Sequence, residues 1–232
     1  MFPRLVVFDM TGTTVYDDGA VNRSIAEALT ESKLATRTPQ VAKYRGLMTS
    51  TIIRNLLRDA GDPRHELASE IEPITKKFCE KMISHIESER TVGQVPGAIE
   101  TIDWLKQKGC LIALDTGLPR PVADAYIDRL GWRGGLINYI VTADDVDRGR
   151  PHPATVSSAM KFFGLENPVH VAKVGDTPQD LIQGKSAGCG WVVGVTQGAF
   201  SSDALHIYPH THLIPTISQL YEVFDPSEDN EE

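Results

Sequence analysis

The chain has 232 residues, 41% of them hydrophobic and 23% charged, and a formal net charge of -8 with no run of lysine and arginine. That length carries one sizeable core plus a smaller appended unit, and the acidic balance argues against nucleic acid or an anionic membrane as partner, because both reward clustered positive charge. No apolar run approaches the roughly 20 residues that cross a bilayer. The first five residues lead straight into a strand-like segment, without the layout of a signal peptide. Cys79, Cys110 and Cys189 are odd in number and lack metal-ligand spacing, so free thiols in a reducing cytoplasm are expected.

The first apolar run, Leu5-Val6-Val7-Phe8, predicts a strand. It is continuous rather than alternating, as strands covered on both faces of a parallel sheet are. From Asp17 to Arg90 no strand follows, only three apolar stripes at helical spacing: Ile25, Ala28 and Leu29, then Ile52, Ile53, Leu56 and Leu57, then Ile71, Ile74, Phe78, Met82 and Ile86. An insertion of this length is unusual for one strand-to-helix connection. It predicts a helical cap over 17–90, inserted into a core of 1–16 and 91–224; the alternative is extra helical layers lying on the sheet.

Helical spacing then recurs at about 97–108, 119–130, 153–163 and 177–187. Between these lie strand candidates at 111–114, 138–141, 169–172 and 191–194. Strand and helix in alternation predict an α/β fold, a doubly wound parallel sheet. The acidic tail 225–232 reads as disordered.

In an open parallel sheet, ligands bind beyond the carboxyl ends of the strands. Asp9 emerges there in Phe8-Asp9-Met10-Thr11-Gly12-Thr13-Thr14, and Gly12 permits a tight turn that brings backbone amides near an anion. The second strand ends in Leu114-Asp115-Thr116-Gly117, which offers a hydroxyl and amides. Gly149-Arg150-Pro151-His152-Pro153 places a cation before a rigid turn. Val174-Gly175-Asp176-Thr177-Pro178-Gln179-Asp180 sets two carboxylates one helical turn apart. Three carboxylates on neighbouring strand ends make an oxygen-rich site suited to Mg²⁺. Each residue also has a structural reading: Asp9 as a turn cap, Thr116 as a helix cap, Arg150 as a surface charge, Asp180 as a first-turn aspartate. What favours chemistry is their order at successive strand ends.

That order resembles the haloacid dehalogenase superfamily, whose four motifs are matched by Asp9, Thr116, Arg150 and the pair Asp176/Asp180. The resemblance is nearest to its phosphonoacetaldehyde hydrolase branch, in Phe-Asp-x-x-Gly-Thr-Thr, Gly-Arg-Pro-x-Pro and Val-Gly-Asp-Thr-x-x-Asp with Ala187-Gly188 downstream. Pro209-His210-Thr211-His212-Leu213-Ile214 is similar to the superfamily's last strand, which makes His210 and His212 structural rather than metal ligands. The resemblance implies a Mg²⁺-dependent phosphohydrolase acting on a small phosphorylated metabolite, with Asp9 as nucleophile and an aspartyl-phosphate intermediate. It implies Mg²⁺ held by Asp9, the Thr11 carbonyl, Asp176 and Asp180, with Thr116 and Arg150 stabilising the phosphoryl oxygens and Gly12 and Gly117 supplying amides. Arg45 and Met48 are candidate specificity residues on the cap. A cytoplasmic monomer or homodimer is expected.

Two positions depart from the family. Its phosphatases carry an acid–base aspartate two residues after the nucleophile, where this chain has Thr11 and the phosphonoacetaldehyde hydrolases have alanine. A threonine hydroxyl is too weakly acidic to protonate a leaving group near neutral pH. The Schiff-base lysine of that branch aligns with Thr49, and Lys43 lies about two helical turns away. These departures leave room for a non-catalytic or slow protein that binds a phosphorylated ligand. A nucleotide-binding redox protein is excluded, for no glycine-rich fingerprint follows the first strand.

Overall fold

The computed structural model describes residues 2–225; the acidic stretch 226–232 lies outside them. Strand β1 (Leu5–Asp9) is followed by helices α1 (Ala20–Glu31), α2 (Thr38–Ala42), α3 (Thr49–Asp59) and α4 (Ala68–Ser88). Then come α5 (Ala98–Gln107), β2 (Leu111–Asp115), α6 (Arg120–Arg129), β3 (Tyr139–Val141), α7 (Ala154–Phe162) and β4 (Val171–Gly175). The chain ends with α8 (Pro178–Ala187), β5 (Trp191–Val195), α9 (Ser202–Leu205), β6 (His212–Ile214) and α10 (Leu220–Phe224). The six strands form one sheet in the order β3-β2-β1-β4-β5-β6, every pair parallel.

The alternation of side chains along β1 divides the core. Leu5 and Val7 pack with Val156 and Ala159 of α7 on one face, while Val6 and Phe8 join Ile102 and Leu105 of α5 on the other. All five residues of β1 are buried, which is why Leu5 to Phe8 are continuously apolar before Asp9. Neighbours of β1 lie on both sides, β2 and β4, so the strand order reverses here and the crevice above β1 is the place where this architecture binds ligands.

The three apolar stripes lie on α1, α3 and α4, and all of their residues are buried. The chain leaves the sheet at Val15, which pairs antiparallel with Gln94 where the chain returns, and Tyr16 N–H donates to the Gly93 carbonyl. The apolar interior of the helical segment is continuous with that beneath the sheet, and α4 packs on α6. One strand departs from the sequence pattern. The fourth runs over Val171–Gly175 instead of 169–172, because Asn167 caps a tight turn at Pro168–His170 by accepting from Val169 N–H.

Candidate active site

Parallel register brings the functional strand ends together. Asp9 on β1 lies level with Asp115 on β2, and Gly175 ends β4 one residue before Asp176. Beyond Asp9 the backbone folds into a tight turn in which Thr13, Thr14 and Val15 N–H all donate to the Met10 carbonyl, while the Thr14 hydroxyl donates to the Asp9 carbonyl at 3.0 Å. Gly12 sits in this turn at φ 93°, and a β-carbon there would collide with the Asp176 carboxylate. Glycine is therefore required both for the backbone angle and for the space.

Asp176 is fully buried; its Oδ1 accepts from the Thr13 hydroxyl at 3.2 Å and its Oδ2 from Ala199 N–H at 2.6 Å. Asp180 is held from two sides. Its Oδ2 caps α8 by accepting from the Thr177 hydroxyl and amide, and its Oδ1 accepts from Arg150 at 2.9 Å and from Lys173 at 2.8 Å. Among the described residues, Asp9, Asp176 and Asp180 form a group whose ligand oxygens lie within 4.8 Å of one another.

Arg150 ties the strand ends together. Its Nη2 donates to Asp9 Oδ1 at 2.6 Å and to the Asp115 carbonyl at 2.9 Å, and its Nε donates to Asp115 Oδ1 at 3.1 Å. The other Asp115 oxygen accepts from the Thr155 hydroxyl at 2.7 Å. The fork of five guanidinium donors suits this divergent set, which a lysine ammonium could not reproduce.

The charge balance of this interior is unequal. Asp9, Asp115, Asp176 and Asp180 are the buried carboxylates and Arg150 and Lys173 the buried cations among the described residues. Two negative charges are thus left without a buried partner, the complement of one divalent cation. Burial, against the pull of Arg150, lifts the Asp9 carboxyl from an ordinary 3.8 to about 6. Burial, with the Asp9 and Asp180 charges beside it, raises Asp176 well above its ordinary range. At Asp180 burial acts in the same sense but Arg150 and Lys173 outweigh it and hold the carboxyl low. The three carboxylates therefore divide: Asp180 belongs to the protein's own cations, while Asp9 and Asp176 are short of positive charge.

A cleft of roughly 500 Å³, counted out to its mouth, opens over Asp9, Thr11, Thr116 and Arg150 on the sheet side. Thr116 is buried and its hydroxyl accepts from Leu118 N–H at 3.2 Å. From the helical side Arg45 and Thr49 line the same cleft, and Arg45 pairs with Asp17 at 2.7 Å. The loop before α3 is pressed onto the sheet. Thr49 N–H donates to the Gly117 carbonyl at 2.9 Å, and a β-carbon on Gly117 would lie 2.5 Å from the Leu47 carbonyl oxygen. Met48 is turned elsewhere, seated against Gly149 and not in the cleft wall. Lys43 points outward to Asp59, and the described residues of the cleft wall include no lysine. His210 and His212 lie far along the chain at β6, their Nδ1 atoms facing the Tyr208 carbonyl and the Thr211 hydroxyl.

Sequence reasoning passed over Asp115 and Lys173, both fully buried. Lys173 carried a signal: it is a cation inside a strand buried on both faces, and such a charge requires partners. Asp17, which the sequence marks only as the first residue of the helical insertion, lines the cleft.

The haloacid dehalogenase-like hydrolase family matches residues 3–188 of this chain. A phosphonoacetaldehyde hydrolase of Bacillus cereus is 30% identical over 206 residues, 84% of this chain and 76% of the relative. Phosphoglycolate phosphatase 1 of Pseudomonas aeruginosa is 30% identical over 192 residues, 80% of this chain and 67% of the relative. Among solved structures, a phosphonoacetaldehyde hydrolase-like protein from Oleispira antarctica superposes with a TM-score of 0.83 at 18% identity, covering 97% of this chain and 92% of that one.

Proposed function

Because the chain belongs to the haloacid dehalogenase-like hydrolases, we propose that it is a Mg²⁺-dependent phosphohydrolase that takes the phosphoryl group of a small phosphorylated metabolite onto Asp9. The observation that carries this reading is the placement of Asp9: a buried carboxylate at the end of the central strand, opening onto the cleft and held by Arg150 at 2.6 Å. The names of two relatives, a phosphonoacetaldehyde hydrolase and a phosphoglycolate phosphatase, favour a small phosphoryl compound as substrate.

In this reaction an Asp9 oxygen attacks phosphorus while the bond to the leaving oxygen breaks, and water later attacks the same phosphorus and returns the Asp9 carboxylate. Arg150 orients Asp9 and faces the equatorial phosphoryl oxygens, with Thr116 and the amides around Gly12 and Gly117 as further donors. The two uncompensated charges and the oxygen donors fit a hard divalent cation, which Asp9 and Asp176 would hold together with the Thr11 carbonyl that the family resemblance implies. A bound Mg²⁺ offsets repulsion between an anionic nucleophile and an anionic substrate. Asp180, already engaged by Arg150, Lys173 and Thr177, takes the part of an outer support or of a ligand through water. Segment 17–90 acts as a lid over the cleft, and its contact at Gly117 represents the closed position.

Thr49 at the family's lysine position, and Lys43 pairing with Asp59 at the surface, speak against Schiff-base chemistry on phosphonoacetaldehyde itself. Thr11 and the full engagement of Asp180 favour a second reading, a slow or non-catalytic binder of a phosphorylated ligand. Phosphate release from acetyl phosphate, an aryl phosphate, phosphoglycolate and phosphonoacetaldehyde, with Mg²⁺ or with chelator, separates the two. Mg²⁺-dependent release is expected; its absence with every compound would favour the binder.

A further inference from the structure

The proposed phosphohydrolase lacks a proton-handling group where its phosphatase relatives carry one, since Thr11 stands there. The hydrolysis of an aspartyl phosphate calls for a base to take the proton of the attacking water, and Thr11 cannot serve. Of the described residues that line the cleft, the carboxylates are Asp9 and Asp17. Asp9 carries the phosphoryl group in that step and is unavailable. Asp17 is held firmly in place: Oδ1 accepts from Gly19 N–H at 2.8 Å and Oδ2 from Arg45 at 2.7 Å, with the side chain 13% exposed. Each carboxylate oxygen has two lone pairs, so the bonds from Gly19 and Arg45 fix the orientation of Asp17 and still leave acceptor sites for a water hydrogen.

Resting on the phosphohydrolase reading, we infer that Asp17 is the general base for hydrolysis of the phosphorylated Asp9. In this step the water oxygen bonds to phosphorus, the bond between phosphorus and the Asp9 oxygen breaks with its electron pair returning to Asp9, and the water proton passes to Asp17. Inorganic phosphate leaves, and Asp17 gives the proton to solvent. The first half-reaction depends on the leaving group alone, as the absence of an acid at Thr11 requires. Asp17 and Arg45 both belong to segment 17–90, so the oriented base moves with the lid as one unit.

The test is rapid-quench kinetics of p-nitrophenyl phosphate hydrolysis with Mg²⁺, comparing wild type, Asp17→Asn and Arg45→Met. In Asp17→Asn, a burst of p-nitrophenol close to one equivalent per protein is expected, followed by steady-state turnover lowered roughly 10²–10⁴-fold, the usual worth of general acid–base help. Acid-quenched phosphoprotein accumulates in step. Arg45→Met breaks the same ion pair but keeps the carboxylate, so it is expected to raise KM without a burst. Circular dichroism and thermal melts verify that both variants fold. Equal slowing of the two variants with no burst, or unchanged turnover in Asp17→Asn, would overturn the inference while leaving the phosphohydrolase intact. A wild type that never forms phosphoprotein at Asp9 would instead remove the reading on which it rests.

Discussion

The Arg150 guanidinium donates to Asp9 Oδ1 at 2.6 Å with both side chains almost wholly buried, while its other donors reach Asp115 and Asp180. One cation thus bridges three carboxylates, Asp9 among them, with too little charge to neutralise them all. Replacing it by methionine leaves those carboxylates with Lys173 alone, and breaking a buried pair in this way costs about 3–5 kcal/mol. Arg150→Met should therefore lower the urea midpoint sharply in the presence of chelator, and Mg²⁺ should restore part of the loss. A variant as stable as wild type under chelator would show that the carboxylates are not charged together.

The uncompensated charge around Asp9 and Asp176 predicts linked binding of metal and protons. Both carboxyls are raised, Asp9 to about 6, so metal-free protein keeps protons that Mg²⁺ must displace. Mg²⁺ affinity should consequently strengthen as the pH climbs through about 6. In the metal-free protein the sign is reversed for stability. A folded-state value above the unfolded one favours folding most below the unfolded value, and that contribution is lost as the pH rises through about 6. Titration calorimetry in buffers of different protonation enthalpy reads the proton release directly. Binding that takes up no proton dependence between pH 5 and 7.5 would contradict it.

Thr11→Asp restores the acid that the family's phosphatases carry. The gain should depend on the leaving group: small for an aryl phosphate, which departs unaided, and up to roughly 10²-fold or more in kcat for an alkyl phosphate. A uniform change across leaving groups would mean that the substitution acts on binding and not on proton transfer.

Gly117 meets backbone of the loop before α3, with Leu47 carbonyl oxygen 2.5 Å from where a β-carbon would stand, whereas Gly149 meets only the flexible end of Met48. Backbone cannot swing aside as a thioether can. Gly117→Ala should therefore raise KM and depress kcat together by hindering closure, and Gly149→Ala should be mild. Both effects are read from steady-state kinetics, and equal behaviour of the two would remove Gly117 from the closing contact.

Much of this arrangement was legible in the sequence, for physical reasons. Strands such as Leu5–Phe8 are apolar throughout because both faces are covered, and the stripes on α1, α3 and α4 follow the helical period of a one-sided interior. Asp9, Thr116, Arg150, Asp176 and Asp180 were visible because the chain orders them in the segments where successive strands end and the following helices begin. What escaped depends on register and side-chain direction. Asp115 stands level with Asp9 only through the β1–β2 pairing, Lys173 meets Asp180 across the β4–α8 turn, and Met48 turns toward Gly149. No local pattern encodes those directions. The start of β4 slipped by two residues because a capped turn at Asn167 displaced an otherwise strand-like Val169.

The central claim, that Asp9 becomes phosphorylated, is tested most directly by intact-protein mass spectrometry after rapid acid quench of a reaction with acetyl phosphate and Mg²⁺. The account predicts a single phosphoryl adduct, mapped by peptide digestion to Asp9, lost on addition of chelator beforehand and absent from a folded Asp9→Asn variant. Phosphate release that persists undiminished in Asp9→Asn, or an adduct on another residue, would contradict it.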